Sequence, residues 1–260
     1  MSRPKALITG ASTGIGKVYA QRLARRGYDL VLVARDKTRL DALAEQLRQD
    51  GAVSEVLVAD LTQSGDVARI EQKLEGDAAI SFFLNNAGIA TVERHLQTSL
   101  ATIENLIALN ITAATRLALA AGRAFVAQKR GIIVNMCSIT AVNPERFNGV
   151  YGGSKAYLLA LSQALTKDLN DNGVTIQAVL PGATRTEIWE RSGKDVDAFP
   201  AEWVMEVGPL VDAALVGLDK GETVTIPPLA DEGQFTTFND ARLAMQPFLS
   251  RRDVAARYLA

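Results

Sequence analysis

The sequence predicts an α/β fold: a single-domain, doubly wound arrangement in which a mostly seven-stranded parallel sheet is flanked by helices on both faces. Three observations carry this expectation. Short β-branched apolar runs alternate with longer stretches of helical apolar spacing along the chain. The first run turns at once, through the glycines of Thr9 to Gly16, into a helical pattern. Later runs stop at short polar or Gly/Pro clusters, and ligands of such sheets bind outside the carboxyl ends of the strands.

Taken in order, Ala6 to Ile8 is the first strand, and Val18, Leu23 and Ala24 mark one face of the helix behind it. Tyr28 to Ala34 suits a strand buried on both faces, and Leu40, Leu43, Ala44 and Leu47 place a helix over Lys37 to Gln49. Val53 to Ala59 reads as a third strand and Asp66 to Leu74 as a helix. Ala79 to Leu84 is a fourth strand that stops at Asn85-Asn86-Ala87-Gly88. Leu100 to Gln128 is expected to be one long helix; Asn110, Arg116 and Arg123 interrupt it, which is costly in lipid and ordinary in a helix packed on protein. Gly131 to Cys137 is the fifth strand, Val150 to Asn170 a helix and Val174 to Leu180 the sixth strand. Beyond Pro181-Gly182 the periodicity weakens through Pro200, then returns in Val204 to Leu218 ahead of a last strand at Thr223 to Ile226. Strand and helix in alternation imply parallel pairing with right-handed crossovers. Residues 1–260 therefore read as one domain, with 186–205 as a substrate lid and 230–260 as a C-terminal extension.

Composition narrows the function. The 260 residues carry 28 Lys+Arg against 29 Asp+Glu, a formal net charge of -1, so no global field draws in nucleic acid or an acidic membrane. One cysteine, Cys137, precludes an intrachain disulfide, and with a single histidine, His95, no Cys/His metal cluster is expected. The start of the chain has too short an apolar run for a signal-peptide core, and a cytoplasmic location is expected. His95 has no carboxylate or cysteine partner by spacing and reads as a surface-loop residue.

Two patterns carry chemistry. A strand that turns sharply into a helix leaves backbone N–H groups without partners at a positive helix end, and Gly10, Gly14 and Gly16 allow the turn, close approach of a pyrophosphate and tight packing. Tyr151 and Lys155 stand four apart on a predicted helix and so share a face. An adjacent ammonium is expected to favour phenolate and bring Tyr151 nearer the working range of a general acid/base. Ser138, just past the fifth strand, can donate to a carbonyl oxygen that Tyr151 protonates. Asn110, inside an apolar helix, needs hydrogen-bond partners.

With Thr9-Gly10-x-x-x-Gly14-x-Gly16, Asn85-Asn86-Ala87-Gly88, Asn110, Ser138, Tyr151-x-x-x-Lys155 and Pro181-Gly182 in one order and spacing, the chain resembles the short-chain dehydrogenase/reductase family over nearly its whole length. The resemblance implies a Rossmann fold and an oxidoreductase transferring hydride between a nicotinamide cofactor and a carbonyl or secondary alcohol. It implies that Tyr151 is the proton donor or acceptor, that Lys155 lowers its pKa and holds the nicotinamide ribose, that Ser138 orients the substrate oxygen and that Asn110 supports a water-linked proton relay. Cofactor contacts are implied at Ser12, Thr13 and Ile15 beside the three glycines, at Asp60, which accepts from the adenine amino group, and at Leu61. Asn86, Ala87 and Gly88 would line the cleft, and Pro181, Gly182, Thr184 and Thr186 would close it. Two departures stand out: Cys137 replaces a common serine and reads as a small buried residue, and Thr184 replaces a common aliphatic one.

NADP is the expected cofactor, with NAD as the alternative. The run Val31 to Asp36 has Ala34 where NAD-preferring members place an acid, and Arg35 follows, suited to a 2′-phosphate; the opposing reading lets Asp36 reach a ribose hydroxyl. Trp189, Phe199, Trp203 and Met205 are expected to line an apolar substrate pocket. Leu117, Leu119, Phe125, Leu158, Leu159 and Leu165 read as surplus apolar surface, hence a homodimer or homotetramer. A non-catalytic dinucleotide-sensing protein would have no use for the Asn110, Ser138, Tyr151 and Lys155 set, and the chain is too short for a sugar-nucleotide epimerase or dehydratase.

Overall fold

The apolar runs form seven strands, all paired in parallel, in the order β3-β2-β1-β4-β5-β6-β7. The computed structural model describes residues 3–93 and 95–259 and divides into two compact units between Pro227 and Pro228. The strands are β1 (Lys5–Thr9), β2 (Asp29–Ala34), β3 (Ser54–Val58), β4 (Ile80–Asn85), β5 (Gly131–Met136), β6 (Val174–Val179) and the two-residue edge strand β7 (Val224–Thr225). Winding proceeds outward from β1 in one direction, then resumes on its other side at β4. The carboxyl ends of β1 and β4 thus flank the switch point, where a doubly wound sheet opens a crevice.

Residue alternation along the strands sends side chains to two cores. Ala6, Ile8, Leu30 and Leu32 pack with α1 (Gly14–Arg25), α2 (Lys37–Gln49) and α8 (Val207–Asp219). Leu7, Val31, Val33 and Phe83 pack on the opposite face with α3 (Ser64–Gly76) and α5 (Ala114–Gln128). Asp36 caps α2 by accepting from the Arg39 amide, and Asn148 caps α6 (Gly149–Asn170) by accepting from the amides of Val150 and Tyr151. The second unit holds one helix, α9 (Glu232–Ala244), and two short 3-10 turns.

One expectation is refined and another corrected. The helix over Leu100 to Gln128 is continuous as expected, but its middle is not α-helical: α4 (Leu100–Ile107) and α5 are joined by a π-helical turn at Ala108–Ala113. Apolar periodicity does not register this wider turn, because it adds a residue without breaking the helix. The surplus apolar surface is also mostly absent: Leu117, Phe125, Leu158 and Leu159 are buried and Leu165 packs against the core, leaving Leu119, 37% exposed, as the exception among the six. The reason is that α5 packs against α3 and α6 as well as the sheet, so it buries more than one face.

Candidate active site

The glycine turn between β1 and α1 builds one wall of the crevice. Gly10 and Gly14 adopt φ of +67° and +52°, values that favour glycine, and a Cβ on Gly10 would stand 2.7 Å from the Asn86 amide nitrogen. Gly16 serves packing: a Cβ there would meet the Gly10 carbonyl oxygen at 2.3 Å. Thr13, the residue before α1, makes no side-chain cap, and no acid stands in the first turn, so the helix offers its free N–H groups outward. Thr9 fastens this turn to the end of β4: its hydroxyl accepts from the amides of Asn86 (2.9 Å) and Ala87 (3.0 Å), while the Asn86 side chain donates to the Thr9 carbonyl at 2.9 Å.

The resulting cleft has a volume of about 900 Å³ and is lined by Gly10, Ser12, Thr13, Gly14 and Ile15 from the turn, Arg35 and Asp36 after β2, and Asp60 and Leu61 after β3. Asn86, Ala87, Gly88 and Thr186 complete the part foreseen from sequence; Thr62, Gln63, Asn105 and Leu109 also line it and carried no sequence signal, and Glu187, Ile188 and Arg191 join from the segment expected as a lid. Asp60 accepts from the amide and hydroxyl of Thr62, which sets its carboxylate at the cleft wall. Glycines whose Cβ would obstruct the wall, an uncapped helix terminus and a long polar-lined crevice are what a dinucleotide requires, so the residues present fit NAD(P).

A smaller chamber, about 100 Å³, opens beside it and shares Ile15, Asn86, Gly88, Ile89, Thr186 and Ile188 with the cleft. Ser138, Tyr151, Lys155, Pro181, Gly182 and Thr184 line it, with Cys137 and Trp189. The amide of Ile139 donates to the Pro181 carbonyl at 3.0 Å, tying the turn after β5 to the turn after β6. Lys155 is buried and donates to the Met136 carbonyl at 2.8 Å, with its ammonium 5.8 Å from the centre of the Tyr151 ring. Gly88 admits both polar partners behind it: a Cβ would lie 3.2 Å from Asn110 Oδ1 and 3.4 Å from Lys155 Nζ.

Asn110 sits behind the chamber wall, as Gly16 sits behind the cleft wall, and lines neither cavity. Its amide clasps Ile89, accepting from the backbone N–H at 3.0 Å and donating to the carbonyl at 2.9 Å, and also donates to the Ser154 hydroxyl at 3.2 Å. Ser154 and Asn148, which donates to the Glu93 carbonyl and the Thr98 hydroxyl, are positioning groups that sequence reading passed over.

The electrostatics differ from the expectation. Burial pushes the Tyr151 phenol up to about 12, a hydrogen bond with Ser138 works in the opposite sense, and the neighbouring Cys137 adds a small further rise. Burial likewise lowers the Lys155 ammonium and raises the Cys137 thiol to about 12. The phenol is therefore neutral and proton-bearing here, because desolvation outweighs the Ser138 hydrogen bond. The aromatic expectation is corrected in part. Trp189 lines the chamber and packs on Phe199, centroids 4.8 Å apart, and Phe199 meets Phe147 at 6.5 Å; Trp203 is half exposed and Met205 packs into the core. The side chain of His95 lies outside what the structure describes.

Comparison with known proteins agrees with this geometry. The short chain dehydrogenase family matches residues 4–197. A short-chain dehydrogenase from Sphingobium yanoikuyae in complex with NADPH is 50% identical, with a TM-score of 0.95 over 98% of this chain and 100% of that one. A bulky-bulky ketone specific alcohol dehydrogenase from Comamonas testosteroni is 42% identical over the full length of both chains, TM-score 0.92. The mouse 17-beta-hydroxysteroid dehydrogenase type 3 is 30% identical over 77% of this chain and 67% of its own length. The chain belongs to the short chain dehydrogenases: an oxidoreductase on a Rossmann-type sheet, with the NAD(P) cleft of that family at its switch point.

Proposed function

We propose that this protein is an NADP(H)-dependent carbonyl reductase or secondary-alcohol dehydrogenase acting on bulky, apolar ketones. The observation that carries the reading is the meeting of Ser138, Tyr151 and Lys155 in one small chamber that opens into the dinucleotide cleft. When bound, the nicotinamide supplies or receives hydride. The chain's own residues handle the oxygen. Ser138 donates a hydrogen bond to the carbonyl oxygen, and Tyr151, which holds its proton at neutral pH, gives it to that oxygen as negative charge develops. Lys155 and Asn110 fix the floor of the chamber through Met136 and Ile89. In the alcohol-oxidising direction the same phenol must first be ionised.

Substrate bulk is supported by Trp189 in the chamber wall, backed by Phe199 and Phe147, and by the Comamonas relative. The segment 186–205, which carries Trp189 and Phe199, would act as the lid over the chamber. NADP over NAD is supported by Arg35, which lines the cleft and has no carboxylate in ion-pair distance among the described residues, and by the NADPH-bound relative. Association into a dimer or tetramer is supported by exposed Ile107, Leu119 and Tyr157 on α4, α5 and α6, and a cytoplasmic location by the lone buried cysteine.

The test is a panel of ketones and alcohols followed by absorbance of reduced nicotinamide, with NADPH and NADH compared for wild type and Arg35→Ala. Arg35→Ala should lower kcat/KM with NADPH by about tenfold or more, since a hydrogen-bonded charge is lost, and leave NADH nearly unchanged. A wild-type preference for NADH, or an unchanged NADPH preference in the variant, would overturn the assignment of Arg35.

A further inference from the structure

Four charged side chains line the rim of the cleft: Arg35 and Asp36, which follow β2, Glu187, which precedes the short helix α7 (Ile188–Arg191), and Arg191, which ends it. A fifth, Arg39 in the first turn of α2, lies outside that lining and joins it through Asp36 and Glu187. Arg39 Nη1 donates to Glu187 Oε2 at 2.6 Å across 148 positions of sequence, and its Nε stands 3.4 Å from Asp36 Oδ2. Glu187 Oε2 also accepts from Arg191 Nη2 at 2.7 Å. One carboxylate is thus shared by two guanidinium groups. Moving Arg39 to another acceptor leaves Glu187 neutralised by Arg191, so the move strands no charge. A phosphate monoester beside Arg35, dianionic and able to accept a bidentate pair, is a stronger acceptor than a shared carboxylate.

Glu187 is also connected to the chamber. It follows Thr186, whose methyl group rests where a Gly14 Cβ would lie within 3.1 Å. It precedes by two residues Trp189, whose indole donates to the Thr184 carbonyl at 2.8 Å and forms part of the chamber wall. A change at Glu187 therefore reaches the substrate wall within one turn of helix.

We propose that Arg39 is a second, exchangeable ligand for the 2′-phosphate of the cofactor, and that its release from Glu187 on phosphate binding resets the segment that carries Trp189. This rests on the NADP reading above: Arg35 is the standing cation, Arg39 the exchanged one. Glu187 competes with the phosphate for Arg39. A dinucleotide without the phosphate leaves the Arg39–Glu187 pair closed.

The experiment titrates the intact chain with adenosine 2′,5′-bisphosphate and adenosine 5′-monophosphate, which differ only in the 2′-phosphate. Trp189 emission is followed in a Trp203→Phe background. The bisphosphate should bind more tightly and alter the emission, the monophosphate should not alter it. Arg39→Gln should weaken the bisphosphate roughly five- to tenfold, as befits a half-exposed charged contact, abolish the emission change and spare the monophosphate. Glu187→Gln should tighten the bisphosphate by about two- to fivefold, because the competitor is gone. Equal weakening of both ligands by Arg39→Gln makes the ion pair a structural strap and overturns the exchange. So does a bisphosphate affinity indifferent to both variants. If the wild type does not distinguish the two ligands, the NADP reading itself fails; if it distinguishes them and Arg39→Gln distinguishes them to the same extent, only the exchange fails.

Discussion

In the proposed reaction the proton passes through Tyr151. It is the phenol in the chamber, and replacing it with phenylalanine removes the proton donor while keeping the ring that fills the space. Tyr151→Phe should cut turnover by about 10²- to 10⁴-fold, the usual cost of losing a general acid, with cofactor affinity retained; fluorescence titration with NADPH beside steady-state rates checks both. Lys155→Met should reduce turnover and loosen the cofactor together, since the ammonium lies between the Met136 carbonyl and the wall at Gly88. The raised phenol also predicts a directional pH dependence. Below a pKa of about 12 the phenol stays protonated, so carbonyl reduction should hold level across neutral pH while alcohol oxidation climbs with pH as phenolate becomes available. A pH profile of oxidation that is flat from pH 6 to 10 would remove Tyr151 as the base.

The π-helical turn between α4 and α5 is the element on which the position of Asn110 depends. A regular helix would carry Asn110 at a different angle, whereas the widened turn lets its amide satisfy both backbone groups of Ile89. Asn110→Leu leaves those two groups without their partner and removes the bond to Ser154, whose hydroxyl still donates to the Tyr151 carbonyl. The expected cost is about 1–3 kcal/mol per unsatisfied buried group, seen as a lower denaturant midpoint, with turnover falling because the loop from Gly88 to Ile89 borders both cavities. Asn110→Asp keeps an acceptor for the Ile89 amide but loses the donor to its carbonyl, so its midpoint should lie between the wild type and Asn110→Leu.

At the scale of the whole molecule, two properties follow from burial. Cys137 and Tyr151 have ordinary pKa values of 9.0 and 10.0 and folded values of about 12, both raised chiefly by desolvation. Below pH 9 both states of the chain keep these protons and the stabilisation is complete; as pH rises from 9 to 12 the unfolded chain releases them first and the stabilisation is lost. The Tm should therefore fall over that window, and Cys137→Ala should flatten the fall near pH 9 to 10. The other property is assembly: exposed Ile107, Leu119 and Tyr157 predict a mass above the 27.9 kDa of one chain by light scattering at micromolar concentration. A monomer mass there would count against the oligomer. Residues 228–260 form their own unit, with Phe248, Leu249, Tyr258 and Leu259 exposed.

What the sequence alone determined about this protein is what depends on short-range order. Alternating strand and helix periods, glycines where φ turns positive, and the Tyr151 and Lys155 spacing are properties of neighbouring residues, so the parallel sheet, the cofactor turn and the residues gathered round the chamber were legible before folding was known. Only the tertiary structure decided the rest. The apolar faces of α5 and α6 turned inward because more than one layer covers them. Asn110 lies behind the wall, clasping Ile89, from a π turn that apolar spacing does not register. Tyr151 kept its proton because desolvation is set by everything packed around a group, and Arg39 met Glu187 across 148 positions because the crossovers of the sheet, unlike any local pattern, bring distant rims together.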